Sequence, residues 1–162
     1  MSWTRKEIIF SEDLKMSFYP AREIVPGVWV GSSADSRDRV FLREHDIGLV
    51  VNASKTIPFT SRHILGYRVA VDDHPAENDA MLDYFPIACK LIDETVKSGK
   101  SVLVHCFAGI QRSCAVGAAY LMYKNPSFTA PHAMQRIKDK KPEAFEPRAT
   151  FWPALKEYAT RR

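Results

Sequence analysis

An α/β fold, with a central mostly parallel sheet of about four to five strands flanked by helices, is what this sequence predicts. Short runs rich in β-branched residues recur, as in Ile47-Gly48-Leu49-Val50-Val51-Asn52-Ala53, Tyr67-Arg68-Val69-Ala70-Val71 and Ser101-Val102-Leu103-Val104. Runs of this length and composition read as strands. Between and after them lie longer segments with apolar residues at helical spacing. Strands alternating with helices imply a sheet covered by helices. In open sheets of this kind ligands bind beyond the carboxyl ends of the strands.

The elements follow in chain order. Residues 1–20 are mixed; residues 3–10 fit a short amphipathic helix with Ile8, Ile9 and Phe10 apolar, and Pro20 ends the segment. Residues 25–31 (V-P-G-V-W-V-G) read as a turn into a short strand. Residues 33–45 are charged around the cluster Val40, Phe41 and Leu42, and predict a helix. Residues 47–53 are a central strand, 54–66 mainly loop, and 67–71 a further strand. That strand delivers the chain to the polar loop 72–79. From 81 to 96 apolar residues fall at 81, 82, 85, 88, 91, 92 and 96, the period of an amphipathic helix. Asn78 or Asp79 can cap its start and Gly99 closes it. The strand 101–104 follows, and then residues 114–123 (C-A-V-G-A-A-Y-L-M-Y), apolar nearly all round as in a buried helix. Asn125-Pro126 breaks that helix. Residues 129–140 predict another, with Ala133, Met134 and Ile137 inward, and the last runs over about 149–158.

The totals narrow the class. A chain of 162 residues, 46% of them hydrophobic, suits one domain with its own core. Three cysteines are too few for a disulfide scaffold and suit a reducing compartment. No apolar leader and no 18-residue apolar run is present, so the expectation is a soluble, cytoplasmic protein without membrane insertion. The five histidines lack metal-ligand spacing, and neither a metal nor a cofactor is implied. Residues 136–162 hold eight Lys/Arg against four Asp/Glu, so the whole net charge of +4 lies there. This is either a solvated basic face or an attraction for phosphorylated or acidic partners, with nucleic acid the less favoured one.

Residues 105–112, His105 to Arg112, join the strand 101–104 to the buried helix and carry the chemistry. Backbone N–H groups in a strand-to-helix turn, with the helix N-terminus beyond, make an anion site. The same field favours a thiolate, so Cys106 is expected to have a depressed pKa. Arg112 opens the helix, where its planar fork can hold two phosphate oxygens. A thiolate beneath a phosphate cradle is a nucleophile aimed at phosphorus. A buried structural cysteine is the bland alternative, and it explains neither Gly109 nor Arg112.

His105-Cys106-Phe107-Ala108-Gly109-Ile110-Gln111-Arg112-Ser113 resembles the signature H-C-x-x-G-x-x-R-[S/T] of the cysteine-based protein tyrosine phosphatase superfamily. Ala108, Ser113 and the later Ala119-Tyr120-Leu121-Met122 resemble its dual-specificity branch, and so does the entry strand ending at Gly31. The resemblance covers roughly residues 24–158, leaving 1–23 as an N-terminal extension of a single domain spanning 1–162. It implies a protein tyrosine phosphatase-like fold and a cofactor-free phosphatase acting on phosphotyrosine and phosphoserine/threonine of proteins through a phosphocysteine. The chain lacks an obvious counterpart of the loops that deepen the pocket in strictly tyrosine-specific relatives.

The same resemblance implies roles for single residues. Cys106 is the nucleophile, and residues Phe107, Ala108, Gly109, Ile110, Gln111 and Arg112 cradle the phosphate. His105 holds the loop and tunes Cys106. Ser113 hydrogen-bonds the thiolate and helps it leave. The general acid follows a strand ending like Val71-Asp72-Asp73; Asp73 aligns best and Asp72 is the second choice. Arg148 stands where Asn usually follows Pro147, either as a surface charge or as a contact for a second anionic group. Cys89 and Cys114 fall on apolar helix faces, where packing is the simplest role. Two rivals stay open: a phosphatase of RNA 5′ ends or phosphoinositides, and a non-catalytic phosphate-binding module.

Overall fold

A computed structural model of the chain describes residues 19–161. The helix expected over residues 3–10 lies outside them. Five strands form one sheet in the order β1-β2-β5-β3-β4. They are β1 (Arg22–Val25), β2 (Val28–Gly31), β3 (Ile47–Asn52), β4 (Leu65–Arg68) and β5 (Ser101–His105). Only β1 runs antiparallel to its neighbour; β2, β5, β3 and β4 are parallel. The β1–β2 hairpin turns at Pro26-Gly27, with Gly27 in the left-handed region (φ 84°).

Strand alternation divides the core between two faces. Leu49, Val51, Val102 and Val104 face one layer of helices, α3 (Asn78–Lys97), α4 (Arg112–Lys124), α5 (Ala130–Lys140) and α6 (Trp152–Arg161). Val50 and Leu103 face the other way, with Leu42, Ile47 and Ala21, beneath the short helices α1 (Ser33–Ser36) and α2 (Arg39–Glu44). Trp29 packs edge-on against Phe41 at 5.2 Å and seals that second face. Covering both faces is what permits near-continuous apolar strands. Helix α4 is the most enclosed of the helices among the described residues, buried at every position from Ser113 to Met122.

The structure corrects several expected elements. Residues 33–45 form two helices, because Asp38 leaves helical geometry and caps α2 by accepting the Phe41 N–H. Of the apolar cluster there, Leu42 is buried and Val40 is exposed. Strand 67–71 is displaced to Leu65–Arg68. Val69 still donates to Asn52 O, but Val71 N–H turns back onto Val69 O at 2.9 Å and ends the ladder. Strand β1 was not anticipated. The last helix starts at Trp152 rather than 149. Neither Asn78 nor Asp79 caps α3, since a 3-10 turn over Pro75–Glu77 runs directly into it. Asn78 reaches α6 instead: its Nδ2 donates to Thr150 O and its Oδ1 accepts the Ala154 N–H, both at 2.9 Å.

Candidate active site

Strand β5 lies at the centre of the sheet and ends at His105, so Cys106 is the first residue beyond its carboxyl end. Residues 107–111 then loop back into α4. The turn requires Gly109: its φ is 75°, and a Cβ there would meet Gly31 C and O at 2.9 Å. Cys106 is almost fully buried at 2% exposure. Its Sγ accepts the Gly109 N–H at 3.3 Å and lies 3.3 Å from Ser113 Oγ. Ser113 Oγ also donates to Gly31 O at 3.2 Å. Among the described residues, the N–H groups of Phe107, Ala108, Ile110 and Gln111 have no hydrogen-bond acceptor. Uncommitted donors in the loop that follows Cys106 supply the groups an anion cradle needs.

Arg112 is the first residue of α4. Its Nη1 donates to Val71 O at 3.1 Å, while its Nε is buried without a partner. A buried, unsatisfied guanidinium donor is costly, and a bound anion would satisfy it. The Val71 bond also ties the cradle to the chain entering Asp72 and Asp73. Both aspartates are exposed. The Asp72 carboxylate lies 3.3 Å from Lys55 Nζ, which bonds Glu77 at 2.6 Å. Glu77 in turn accepts the Asp72 N–H at 3.1 Å. The Lys55 hydrogen bond, helped by that N–H, holds the Glu77 carboxyl below the usual carboxylate range. Asp73 forms no ion pair among the described residues.

His105 is buried below the loop, with Nδ1 3.2 Å from Cys106 O. A carbonyl only accepts, so Nδ1 carries the proton. Burial drives the imidazole down to about 4, and His105 is neutral at pH 7. Gln111 has a part that the sequence reading missed. Its Nε2 donates to Glu146 O at 3.0 Å and Arg148 O at 2.8 Å, and its Oε1 accepts the Thr150 N–H at 3.0 Å. Phe145 N–H adds a bond to Ile110 O at 2.9 Å. The loop is thus clamped to residues 145–150. Nothing in the sequence marks this clamp beyond a polar amide placed before a buried helix. Arg148 supplies its carbonyl to the clamp while its side chain stays exposed.

The other two thiols are buried. Burial pushes Cys89 up to about 12, and raises Cys114 well above its ordinary value. Cys114 Sγ donates to Gly109 O at 3.4 Å, bracing the loop from behind. Both behave as packed, protonated thiols.

Residues 28–161 match the family model for the catalytic domain of dual specificity phosphatases. The chain belongs to the dual specificity phosphatase family. Mouse dual specificity phosphatase 28 is 32% identical over 140 residues, 86% of this chain and 83% of that protein. The tyrosine-protein phosphatase vhp-1 of Caenorhabditis elegans is 31% identical over 140 residues, 83% of this chain. The chain spans only 20% of the length of vhp-1. The crystal structure of human DUSP28 superimposes with a TM-score of 0.79 at 31% identity, over 88% of this chain and 94% of that one. A TM-score of 0.79 over most of both chains places this chain in the same fold as that phosphatase.

Proposed function

We propose that this domain hydrolyses phosphotyrosine and phosphoserine/threonine on proteins through a phosphocysteine at Cys106. The observation that carries the reading is the loop that follows Cys106, whose N–H groups at 107, 108, 110 and 111 have no acceptor among the described residues, and which ends at Arg112 with its Nε buried and unpartnered. Cys106 reacts as its thiolate, with the Gly109 N–H directed at the sulfur. It attacks phosphorus, the S–P bond forms and the P–O bond to the leaving group breaks. Arg112 and the loop N–H groups hold the three equatorial oxygens as charge spreads over them. The leaving oxygen takes a proton from a carboxylic acid. The resulting carboxylate then takes a proton from water, whose oxygen attacks phosphorus and releases phosphate and the thiolate.

Asp73 is assigned as that acid, because the Asp72 carboxylate is paired with Lys55 while Asp73 forms no ion pair among the described residues. Ser113 has one hydroxyl proton for two acceptors, Gly31 O and Cys106 Sγ. Turning it to the sulfur stabilises the thiolate as it leaves phosphorus. His105, neutral and bonded to Cys106 O, is a positioning residue and not a base. The basic excess of the C-terminal segment does not favour an RNA or lipid substrate. Lys138 pairs with Glu146 at 2.7 Å, Lys141 is buried against Pro20 O, and Arg136 and Lys156 lie over Phe128 and Trp152.

One assay tests the proposal: phosphotyrosine peptide, phosphothreonine peptide, triphosphate-ended RNA and a phosphoinositide at equal concentration. Both peptides should be hydrolysed, and Cys106→Ser should abolish turnover while still binding them. Turnover confined to RNA or lipid, or retained by the Ser variant, contradicts the reading.

A further inference from the structure

On the face of the sheet covered by α1 and α2, a groove of about 820 Å³ opens between α2 and residues 60–64. Arg37, Arg39, Arg43 and Arg62 line it, and all four are exposed. None of their guanidinium groups forms an ion pair or hydrogen bond among the described residues. The one acid in the lining, Asp46, is already paired with Lys100 at 2.9 Å. Between the arginines the floor is aliphatic: Leu42, Ile47 and Ile64. One wall is fixed, since Thr60 Oγ1 donates to Ser36 O at 2.6 Å. Four unpaired like charges around an aliphatic floor repel one another, and an anionic occupant relieves that repulsion.

We propose that this groove docks an acidic peptide segment of a protein partner, one that alternates carboxylates with aliphatic side chains. Carboxylates match the guanidinium forks bidentately. Aliphatic side chains match Leu42, Ile47 and Ile64. A nucleic acid is the poorer fit, because single strands are held by stacking on aromatic rings and no Phe, Tyr or Trp lines this groove. Docking itself is independent of the catalytic reading; its use in recruiting phosphorylated substrate rests on that reading.

The geometry sets a spacing. Ile47 pairs with Ser101, and Cys106 lies five residues further along β5. At about 3.3 Å per residue the Ile47 end of the groove is roughly 16 Å from Cys106 along the strand direction. A substrate engaging both therefore needs a linker of at least about five extended residues, and then gains effective concentration at the second site.

The test measures binding of a labelled, unphosphorylated Glu/Leu peptide to the whole protein by fluorescence anisotropy at two salt concentrations. Binding should weaken with salt. It should fall at least about tenfold in the Arg39→Glu/Arg43→Glu double variant, and also in Ile64→Ser. Turnover of a small aryl phosphate should stay unchanged in these variants, which also shows that they fold. No binding to the wild type, equal binding by the charge-reversed variant, equal binding of a Glu/Ser peptide, or tighter binding of single-stranded RNA overturns the proposal. An aryl phosphate left intact by the wild type would count against the catalytic reading alone, since the binding comparison is decided separately.

Discussion

Gly109 carries the sharpest constraint on any single residue. Its left-handed φ costs a side chain about 1 kcal/mol or more, and a Cβ would press on the Gly31 backbone, which cannot swing aside. Gly109→Ala should therefore displace the cradle and lower turnover on the order of 10²-fold, the scale of a misplacement of about 1 Å. Kinetics on an aryl phosphate checks this; a near-normal rate would mean the cradle tolerates the shift. Arg112→Lys keeps a charge but loses the fork, and a comparable loss of about 10²-fold is expected. His105 predicts a pH effect on stability. The unfolded chain binds a proton at this imidazole below 6.5, whereas the folded chain resists until about 4. Stability is thus intact above 6.5 and falls by about 3 kcal/mol as pH drops towards 4. Denaturant titrations across that window should show a shallower fall for His105→Asn, which keeps an N–H for Cys106 O. An unchanged slope would place the acid sensitivity elsewhere.

Between elements, two polar devices fasten the helices that hold the site. Gln111 joins the start of α4 to residues 146–150 by three hydrogen bonds. Gln111→Ala strands those groups and should cost about 2 kcal/mol, with a fall in turnover as the loop loosens. Thermal melts and kinetics measured together separate this from a change confined to the surface. Asp93, buried on α3, accepts Lys97 at 2.8 Å and Lys124 of α4 at 2.9 Å. Burial alone would raise its carboxyl, but the two lysines override it and hold it below the usual range. Its contribution is present above the unfolded value of 3.8 and is lost as pH falls through the lower folded value. Asp93→Asn should be less stable at neutral pH and lose less on acidification below about 4. The Gln111 bonds and the Asp93–Lys124 pair join residues far apart in the chain, which is why helix α4 was legible from its apolar run while its fastenings were not. Strand β1 was missed for a related reason: Arg22-Glu23-Ile24-Val25 has one buried residue and becomes a strand only by pairing with β2. Strand β4 shifted because Leu65 and Gly66, though exposed, find ladder partners in Leu49 and Val50.

At the scale of the whole molecule, the sheet carries two charged sites. The carboxyl end of β5 carries Cys106 and Arg112, and the face covered by α1 and α2 carries the arginine groove. The first was legible because its chemistry is contiguous, from His105 to Ser113. The second was not, since its arginines come from 37–43 and 62 and only the fold brings them together. Asp73 lies between these cases: the strand before it was legible but displaced, and its freedom from Lys55 was visible only in three dimensions. Asp73→Ala should cost on the order of 10²–10⁴ on phosphopeptides and much less on an activated aryl phosphate, which needs little protonation. Equal losses on both substrates would remove Asp73 from the acid role. The central claim is that phosphorus passes through sulfur, and trapping that species tests it most directly. Ser113→Ala, which cannot assist thiolate departure, should accumulate phosphoenzyme during turnover of an aryl phosphate. Rapid quenching followed by peptide mass analysis should then find the phosphoryl group on the peptide containing Cys106. Turnover with no phosphoryl adduct at Cys106, or with an adduct on another residue, would contradict the account.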